Sequence, residues 1–251
     1  MDKMKLLSSG LLLLLAGLPT FAQQGQGVDA AGRSPAAIEI LQKVDAAVKA
    51  ISAVRYDVKT VPGGVAEQMV GPGEASVVLI GWNGRIPEKF HVEGKTARGG
   101  QPVTVTGGGN GDSYFLVDHT TKKGYEDMDP AVLGGSAQAL MGFAMLEFVH
   151  DRPFDDELAA EVAELRGSKT IGGVDCHEIR VVYSSGQGES IWYFSKTDYT
   201  PRGRVRVFNT PQGEGTITVT IENLEIDPKV DATLFVMNLP AGYEEIDDFA
   251  P

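Results

Sequence analysis

The chain contains 251 residues, carries a net charge of −12 at pH 7 and includes one cysteine, Cys176. This acidity argues against nucleic acid and against an anionic membrane surface as partners. A single cysteine cannot form an internal disulfide, so stability has to come from a packed core, and the chain is long enough for one large domain.

The first 22 residues have the features of a secretion signal. Lys3 and Lys5 form a positive end, residues 11–15 an apolar run, and residues 20–22 a cleavage site. The apolar run is shorter than the ~20 residues that span a bilayer, although a retained anchor helix is the alternative. Because no cysteine follows the run, we expect an exported, soluble protein without a lipid anchor.

After the signal, residues 23–33 form a Gln-, Gly- and Ala-rich segment without periodicity, which predicts a disordered linker. Ser34 and Pro35 are typical of a helix start. The apolar residues at positions 41, 44, 48 and 51 then recur on one helical face. We expect a single domain over residues 34–247 and a short tail at 248–251.

Alternating apolar and polar residues predict the first group of strands. These strands cover residues 55–61, 77–80, 90–93, 103–106, 114–118 and 123–126, and the last two form a hairpin. Two helices are predicted next, over residues 130–149 and 155–166, with Gly167 at the C-terminal cap of the second. Strands resume over residues 178–183, 191–194, 205–208 and 216–226.

Segregated strands and helices are typical of an α+β domain with an antiparallel sheet. The sequence therefore predicts a strongly curved sheet with about three helices covering its concave face. The middle helix is apolar nearly all round between residues 137 and 149, which indicates burial on more than one side. It is either a plain core helix or a lid over an apolar cavity.

No motif in the chain predicts catalysis or a cofactor. Residues 107–112 are glycine-rich, but a strand follows them, so a hairpin turn is favoured over a phosphate loop. The histidines at 91, 119, 150 and 177 lack the spacing of metal ligands. Cys176 lies in a predicted strand, where a buried, unreactive thiol is the better interpretation. No Gly-x-Ser-x-Gly turn is present.

Several segments together resemble the outer-membrane lipoprotein carrier (LolA/LolB-like) superfamily and related periplasmic families over residues 35–246. The matching segments are Val54-Arg55-Tyr56-Asp57-Val58, Ser113-Tyr114-Phe115-Leu116-Val117-Asp118, Ile191-Trp192-Tyr193-Phe194-Ser195 with Tyr199-Thr200-Pro201-Arg202, Pro228-x-x-Asp231-Ala232-x-Leu234-Phe235, and Leu239-Pro240-x-Gly242-Tyr243.

The resemblance implies an unclosed β-barrel of about eleven strands with helices filling its mouth, located in the periplasm. It also implies an apolar interior that carries lipid or lipoprotein acyl chains, and a membrane-bound delivery or acceptor protein as a further partner. We expect a monomer without a cofactor. The rival hypotheses are a protein-interaction or sensory module with a filled core, and a hydrolase with an unrecognised active site.

The candidate lining residues are the inward alternates of four predicted strands and the apolar face of the middle helix. They are Val77, Leu79, Phe90, Val92, Ile179, Val181, Ile217, Val219 and Ile221 on the strands, and Leu140, Phe143, Met145 and Phe148 on the helix. A shift of one residue in any strand would reverse its assignment.

Overall fold

The computed structural model describes residues 32–98, 101–129, 140, 142–186 and 188–247, without the side chains of residues 98 and 185. Three predicted segments lie wholly or largely outside these residues: the signal peptide, residues 23–31 of the linker, and the tail at 248–251. Residues 130–139 and 141 of the predicted middle helix also lie outside them.

Twelve strands and two α-helices have described bounds. The helices are α1 (Pro35–Lys49) and α2 (Asp155–Leu158). The strands are β1 (Ala53–Gly64), β2 (Gly73–Trp82), β3 (Pro87–Arg98), β4 (Gln101–Gly109), β5 (Tyr114–Asp118), β6 (Lys123–Asp127), β7 (Val162–Ile171), β8 (Val174–Val182), β9 (Glu189–Ser195), β10 (Pro201–Thr210), β11 (Gly213–Ile226) and β12 (Glu244–Glu245). Among the described residues, no helix is both long and apolar enough to span a bilayer.

All twelve strands belong to one sheet. Their order is β12-β6-β5-β4-β3-β2-β1-β11-β10-β9-β8-β7, and every neighbouring pair is antiparallel except β12 with β6. Within the described residues the end strands β7 and β12 do not pair with each other, so the curved sheet stays open. The predicted unclosed barrel of about eleven antiparallel strands is confirmed, with a two-residue parallel strand added at one edge.

Helix α1 begins as predicted and buries one face against the sheet. The Ser34 side chain accepts a hydrogen bond from the backbone N–H of Ala37 (3.1 Å), and Pro35 occupies the first turn. The buried side chains are Ala37, Ile40, Leu41, Val44 and Val48, and all five belong to the main hydrophobic cluster. This helix therefore covers part of the concave face.

The predicted helix over residues 155–166 is wrong beyond its first turn. Helix α2 ends at Leu158, and the chain continues as strand β7 from Val162. The segment is rich in helix-forming residues, but pairing along β8 and complete burial of Ala163 outweigh that local preference. Gly167 lies at an irregularity of the β7–β8 pairing with a φ of 137°, and not at a helix cap.

The predicted helix over residues 130–149 is also wrong in its described C-terminal part. Residues 142–149 contain turns and a short 3-10 helix at Leu146–Phe148. Met145 has non-helical backbone angles (φ −85°, ψ 88°), and its N–H donates to the hydroxyl of Tyr56 (2.7 Å). A side chain from β1 thus supplies the partner that a preceding helical turn would otherwise supply.

The C-terminal segment covers the sheet near β3 to β6. A 3-10 turn at Ala232–Phe235 contacts β3 and β4, and Phe235 is buried. Farther on, the Tyr243 hydroxyl lies 3.1 Å from Nδ1 of His119, and β12 pairs with β6. The closing residues of the predicted resemblance therefore complete one edge of the sheet.

Because β1 and β11 approach closely at Gly64, replacing Gly64 by alanine should lower the free energy of unfolding more than replacing Gly173. Gly64 and Gly173 both have positive φ (62° and 82°), so alanine strains each by about 1–2 kcal/mol. At Gly64 the new Cβ would also lie 2.4 Å from the Glu214 carbonyl oxygen, whereas nothing lies within 4 Å at Gly173. We expect Gly64→Ala to cost at least about 1 kcal/mol more than Gly173→Ala in urea unfolding. Equal costs would contradict the described contact.

Candidate functional site

The predicted lining residues come together on the concave face of the sheet. All of them except Ile217 belong to the main hydrophobic cluster and are at most 7% exposed, and Ile217 packs against the cluster with partial burial. The described interior at these positions is therefore filled by protein side chains. Their role as ligand-binding residues stays a prediction.

Much of that filling comes from one segment, which we call the strap: Leu140 and residues 142–154. Phe143 lies near one end of it, against β2 and β3. Near the other end, the Phe154 ring lies 5.4 Å from the rings of both Trp192 and Phe194 on β9. The strap thus spans the concave face between the two arms of the curved sheet.

Three glycines on adjacent strands form the floor beneath Phe143 and Leu140. A Cβ at Gly73 (β2) would lie 2.5 Å from Cζ of Phe143, and a Cβ at Gly107 (β4) would lie 2.7 Å from Cδ1 of Leu140. A Cβ at Gly94 (β3) would lie 3.1 Å from both side chains. The missing side chains therefore make a depression in the sheet, which we call the glycine floor, and the strap fills it.

The glycines of the floor are visible in the sequence, but glycines in this pattern also predict a turn. Glycine within a strand often marks close approach by a ligand or another segment. The predicted hairpin turn includes Gly107, but β4 extends to Gly109. The turn is made by Asn110, whose side chain accepts hydrogen bonds from the N–H groups of Asp112 and Ser113. The predicted turn is thus wrong in its position, and the first three glycines belong to a strand.

Tyr56 holds the strap against β1. Its buried hydroxyl accepts from the N–H of Met145 (2.7 Å) and donates to the carbonyl oxygen of Phe143 (3.3 Å), while its ring lies 5.5 Å from the Phe148 ring. Burial raises the pKa of Tyr56, so the hydroxyl stays protonated. Tyr56 therefore combines two hydrogen bonds and a ring contact at one point of the strap.

An open groove of about 500 Å³ lies at the rim of the sheet where β1 to β4 end. It is lined by Lys59, Thr60, Val61, Pro72, Gly73, Glu74, Lys95, Thr96, Ala97 and Pro102. Gly73 also lies against the ring of Phe143, so the groove meets the strap at the glycine floor. Its size is within the ~300–1,000 Å³ range of small-molecule sites.

A second, polar pocket of about 360 Å³ lies at the other end of the strap. It is lined by Glu147, His150, Arg152, Pro153, Asp155, Asp156, Glu157, Tyr183, Arg204 and Arg206. Arg204 and Arg206 lie on the concave face of β10, because they pair with the inward residues Val219 and Ile217 of β11. The sequence did not predict this pocket.

Glu157 is the buried acid of the polar pocket. It accepts a hydrogen bond from the Tyr183 hydroxyl (2.6 Å), which in turn accepts from Nε1 of Trp192 (3.3 Å). Burial raises the pKa of Glu157 to about 7, with a further contribution from the charge of Glu147. Burial and the neighbouring Glu157 also raise the pKa of Tyr183.

The four histidines lie apart in the structure. His119 contacts Thr106 and Tyr243, and His177 stacks on the Tyr199 ring. His150 accepts a hydrogen bond from the N–H of Arg152 (2.9 Å) and lies against the Trp82 ring, while His91 lies on β3 between the inward residues Phe90 and Val92. Among the described residues, no three His, Cys, Asp or Glu side chains are arranged to hold a metal ion. Burial raises the pKa of Cys176 to about 11, which disfavours the reactive thiolate.

The open curved sheet, with its concave face covered by α1 and the strap, defines a LolA-like fold, and the predicted resemblance is confirmed at this level. Residues 114–248, more than half of the chain, match the family described as "Predicted periplasmic protein (DUF2092)". The chain belongs to this family. No curated protein matches it in sequence.

Solved structures with the same fold are only distantly similar in sequence. MucB is 10% identical over 82% of this chain and 65% of its own, with a TM-score of 0.50. LprF from Mycobacterium bovis is 12% identical over 84% and 98% (TM-score 0.49), and a LolA superfamily protein from Nitrosomonas europaea is 9% identical over 80% and 97% (TM-score 0.34). MucB of Pseudomonas aeruginosa has also been solved in complex with MucA.

The raised pKa of Glu157 predicts that stability falls as pH rises. The unfolded state loses this proton near pH 4.5 and the folded state near pH 7, so the folded state becomes less stable between these values and levels off above them. Glu157→Gln keeps an acceptor for Tyr183 and removes the titration. We expect the variant to be more stable than wild type at pH 8 by about 1–3 kcal/mol, and to lose most of this advantage at pH 4.

Thermal and urea unfolding at several pH values measure this difference. Glu225→Gln is the control, since Glu225 is exposed and its partner Arg55 lies on the surface. This control should not reproduce the gain at high pH. A Glu157→Gln variant that is no more stable than wild type at pH 8 would contradict the described environment of the carboxyl group.

Proposed function

We propose that this protein is a periplasmic carrier that holds an apolar chain, from a lipid or a lipoprotein, between its curved sheet and the strap. The seating of Leu140 and Phe143 in the glycine floor is the observation that carries the proposal. The apolar chain is held by burial, with no covalent chemistry. The nine predicted lining residues on the strands form the walls of the site when the strap is displaced, and the four on the strap move away with it.

The strap is suited to displacement because it is held by few directional contacts. Its backbone is bonded to the sheet through Tyr56, and its Glu147 side chain forms an ion pair with Arg204 (2.8 Å). Its described residues between 142 and 149 contain only turns and one 3-10 turn. Such a segment moves more easily than a helix that is packed along its whole length.

Burial of an apolar ligand chain offsets part of the cost of lifting the strap from the sheet. Removing Leu140 and Phe143 from the glycine floor costs roughly 1.5–3 kcal/mol for each side chain. Burying a chain of ~10 methylene groups in their place contributes about 8 kcal/mol, at ~0.8 kcal/mol per group.

The family description supports a periplasmic location. We propose that residues 1–22 are a signal peptide, that the exported protein is a soluble monomer without a lipid anchor, and that it exchanges its ligand with a membrane-bound delivery or acceptor protein. Nucleic acid is not a partner in this proposal, because the chain carries a net charge of −12.

A variant that fills the glycine floor tests whether lipid binds there or elsewhere on the protein. Gly94→Val adds a side chain to the glycine floor, whereas Glu93→Val adds the same side chain on the opposite face of β3. We expect Gly94→Val to weaken binding of a fluorescent fatty acid at least about tenfold and Glu93→Val to leave it unchanged, with folding checked by circular dichroism. Equal binding by both variants would place the ligand elsewhere.

The rival function is a protein-binding module with a permanently filled interior. The burial of the predicted lining residues favours it, and MucB, which has a similar fold, has been solved with a protein partner. Native mass spectrometry of protein purified from its own cells separates the two functions. Bound lipid mass supports the carrier, whereas a clean unliganded mass together with no uptake of fluorescent fatty acid supports the module.

Loss of the Tyr56 hydroxyl should loosen the strap. Tyr56→Phe removes two hydrogen bonds to the strap and keeps the ring against Phe148. We expect amide hydrogen exchange of residues 143–149 to accelerate about tenfold, and fatty-acid association to become faster. Tyr114→Phe is the control, because that hydroxyl bonds to Gly111, away from the strap. Unchanged exchange in Tyr56→Phe would show that other contacts hold the strap.

A further inference from the structure

Arg204 makes incomplete use of its hydrogen-bonding groups. One terminal nitrogen, Nη1, donates to Oε1 of Glu147 (2.8 Å), and the guanidinium lies 4.9 Å from the centre of the Trp192 ring. Its Nε is buried and has no hydrogen-bond partner among the described residues. A guanidinium normally binds a carboxylate or a phosphate through two nitrogens. Glu147 therefore pairs with the guanidinium but leaves its Nε–H without an acceptor among the described residues.

Arg204 also lies where the apolar interior meets the polar pocket. Trp192 beneath it is completely buried in the main cluster. Arg206, two residues along the same face of β10, lies over the Tyr183 ring at 5.8 Å. A group bound at Arg204 would thus have an apolar wall on one side and the polar pocket on the other.

The acidic side chains of the pocket set the local charge. Asp155, Asp156 and Glu157 line it together with Arg152, Arg204 and Arg206. Burial raises the pKa of Glu157 to about 7, so this carboxyl carries only part of a negative charge near neutral pH. With Glu147 included, the four acids of the pocket are nearly balanced by its three arginines, although the whole chain is strongly acidic.

Along the strap, apolar side chains come first and an anionic side chain follows, as the tail and the head group do in an amphiphile. Leu140 and Phe143 fill the glycine floor, and Glu147 follows with a carboxylate on Arg204. Because these residues belong to one segment, displacement of the strap uncovers the apolar floor and the cation together. The strap thus occupies the site as an internal substitute for a molecule with an apolar chain and an anionic end.

We propose that the ligand of this protein is an amphiphile with an anionic head group, a carboxylate or a phosphate, which replaces Glu147 on Arg204 while its chain replaces Leu140 and Phe143. This inference rests on the proposed carrier function and adds to it the chemical class of the ligand. Arg204 then binds the head group through Nε and a terminal nitrogen, which satisfies the nitrogen that Glu147 leaves unpaired.

Three ligands with the same chain and different heads test the proposal. Calorimetry with dodecanoate, dodecyl phosphate and dodecanol should give affinities for the two anions about ten- to a hundredfold higher than for the alcohol in the wild-type protein. Tighter binding of dodecanoate indicates a fatty acid as the ligand, and tighter binding of dodecyl phosphate indicates a phospholipid. Arg204→Met should reduce the difference between anion and alcohol to less than about threefold while dodecanol still binds.

Two further variants separate recognition from stability. Glu147→Gln removes the internal competitor and should raise the affinity for dodecanoate by several-fold more than for dodecanol. Glu147→Gln combined with Arg204→Met leaves no unpaired buried charge, and should still fail to distinguish the ligands. Arg180→Met is the control, because Arg180 pairs with Glu189 and lies between the inward residues Ile179 and Val181 of β8. It should keep the wild-type preference.

The outcomes separate this inference from the function on which it rests. Equal binding of dodecanol and dodecanoate by the wild-type protein, or an unchanged preference in the Arg204 variants, overturns the head-group proposal and leaves the apolar site intact. Failure of the wild-type protein to bind any of the three ligands overturns the carrier function itself.

Discussion

An open sheet cannot bury its own concave face, and this constraint decides what the remaining parts of the chain do. Apolar side chains of β1 to β5, β8, β9 and β11 meet in the main hydrophobic cluster on the inward face, and the end strands do not close around them within the described residues. Water would therefore reach a large apolar surface unless other segments covered it. Helix α1 covers part of it with a regular packed face, and the strap covers the rest with irregular backbone.

The two covers differ in how they are held. Helix α1 buries five apolar side chains, and its backbone hydrogen bonds are internal. The strap instead depends on side chains of the sheet: the Tyr56 hydroxyl for its backbone and the Arg204 guanidinium for Glu147. Both covers bury apolar side chains in the main cluster, but displacing the first removes a regular helix from the core, whereas displacing the second breaks the contacts of Tyr56 and Arg204 and uncovers the side chains of an irregular segment. The strap is thus the cover that can change places with a ligand.

Alternation of side chains made most of the sheet predictable, because one face of each strand must be apolar. Alternation did not predict β7, because pairing with β8 makes a strand of a stretch rich in helix-forming residues. In β10 the inward positions are Arg204 and Arg206, whereas Val205 and Val207 are the alternates on the opposite face. The polar pocket joins residues from positions 147 to 206, which only the folded sheet brings together. The glycine floor had a local signal in the glycines of β4.

A site filled by its own chain also limits how tightly a ligand binds. The ligand binds only the open form, so its apparent affinity is lowered by the fraction of molecules in which the strap is displaced. A preference of ~3 kcal/mol for the closed form would lower the affinity by roughly a hundredfold. A carrier has to release its ligand as well as take it up. The strap serves both steps, because it protects the apolar surface when the site is empty and competes with the ligand when the site is full.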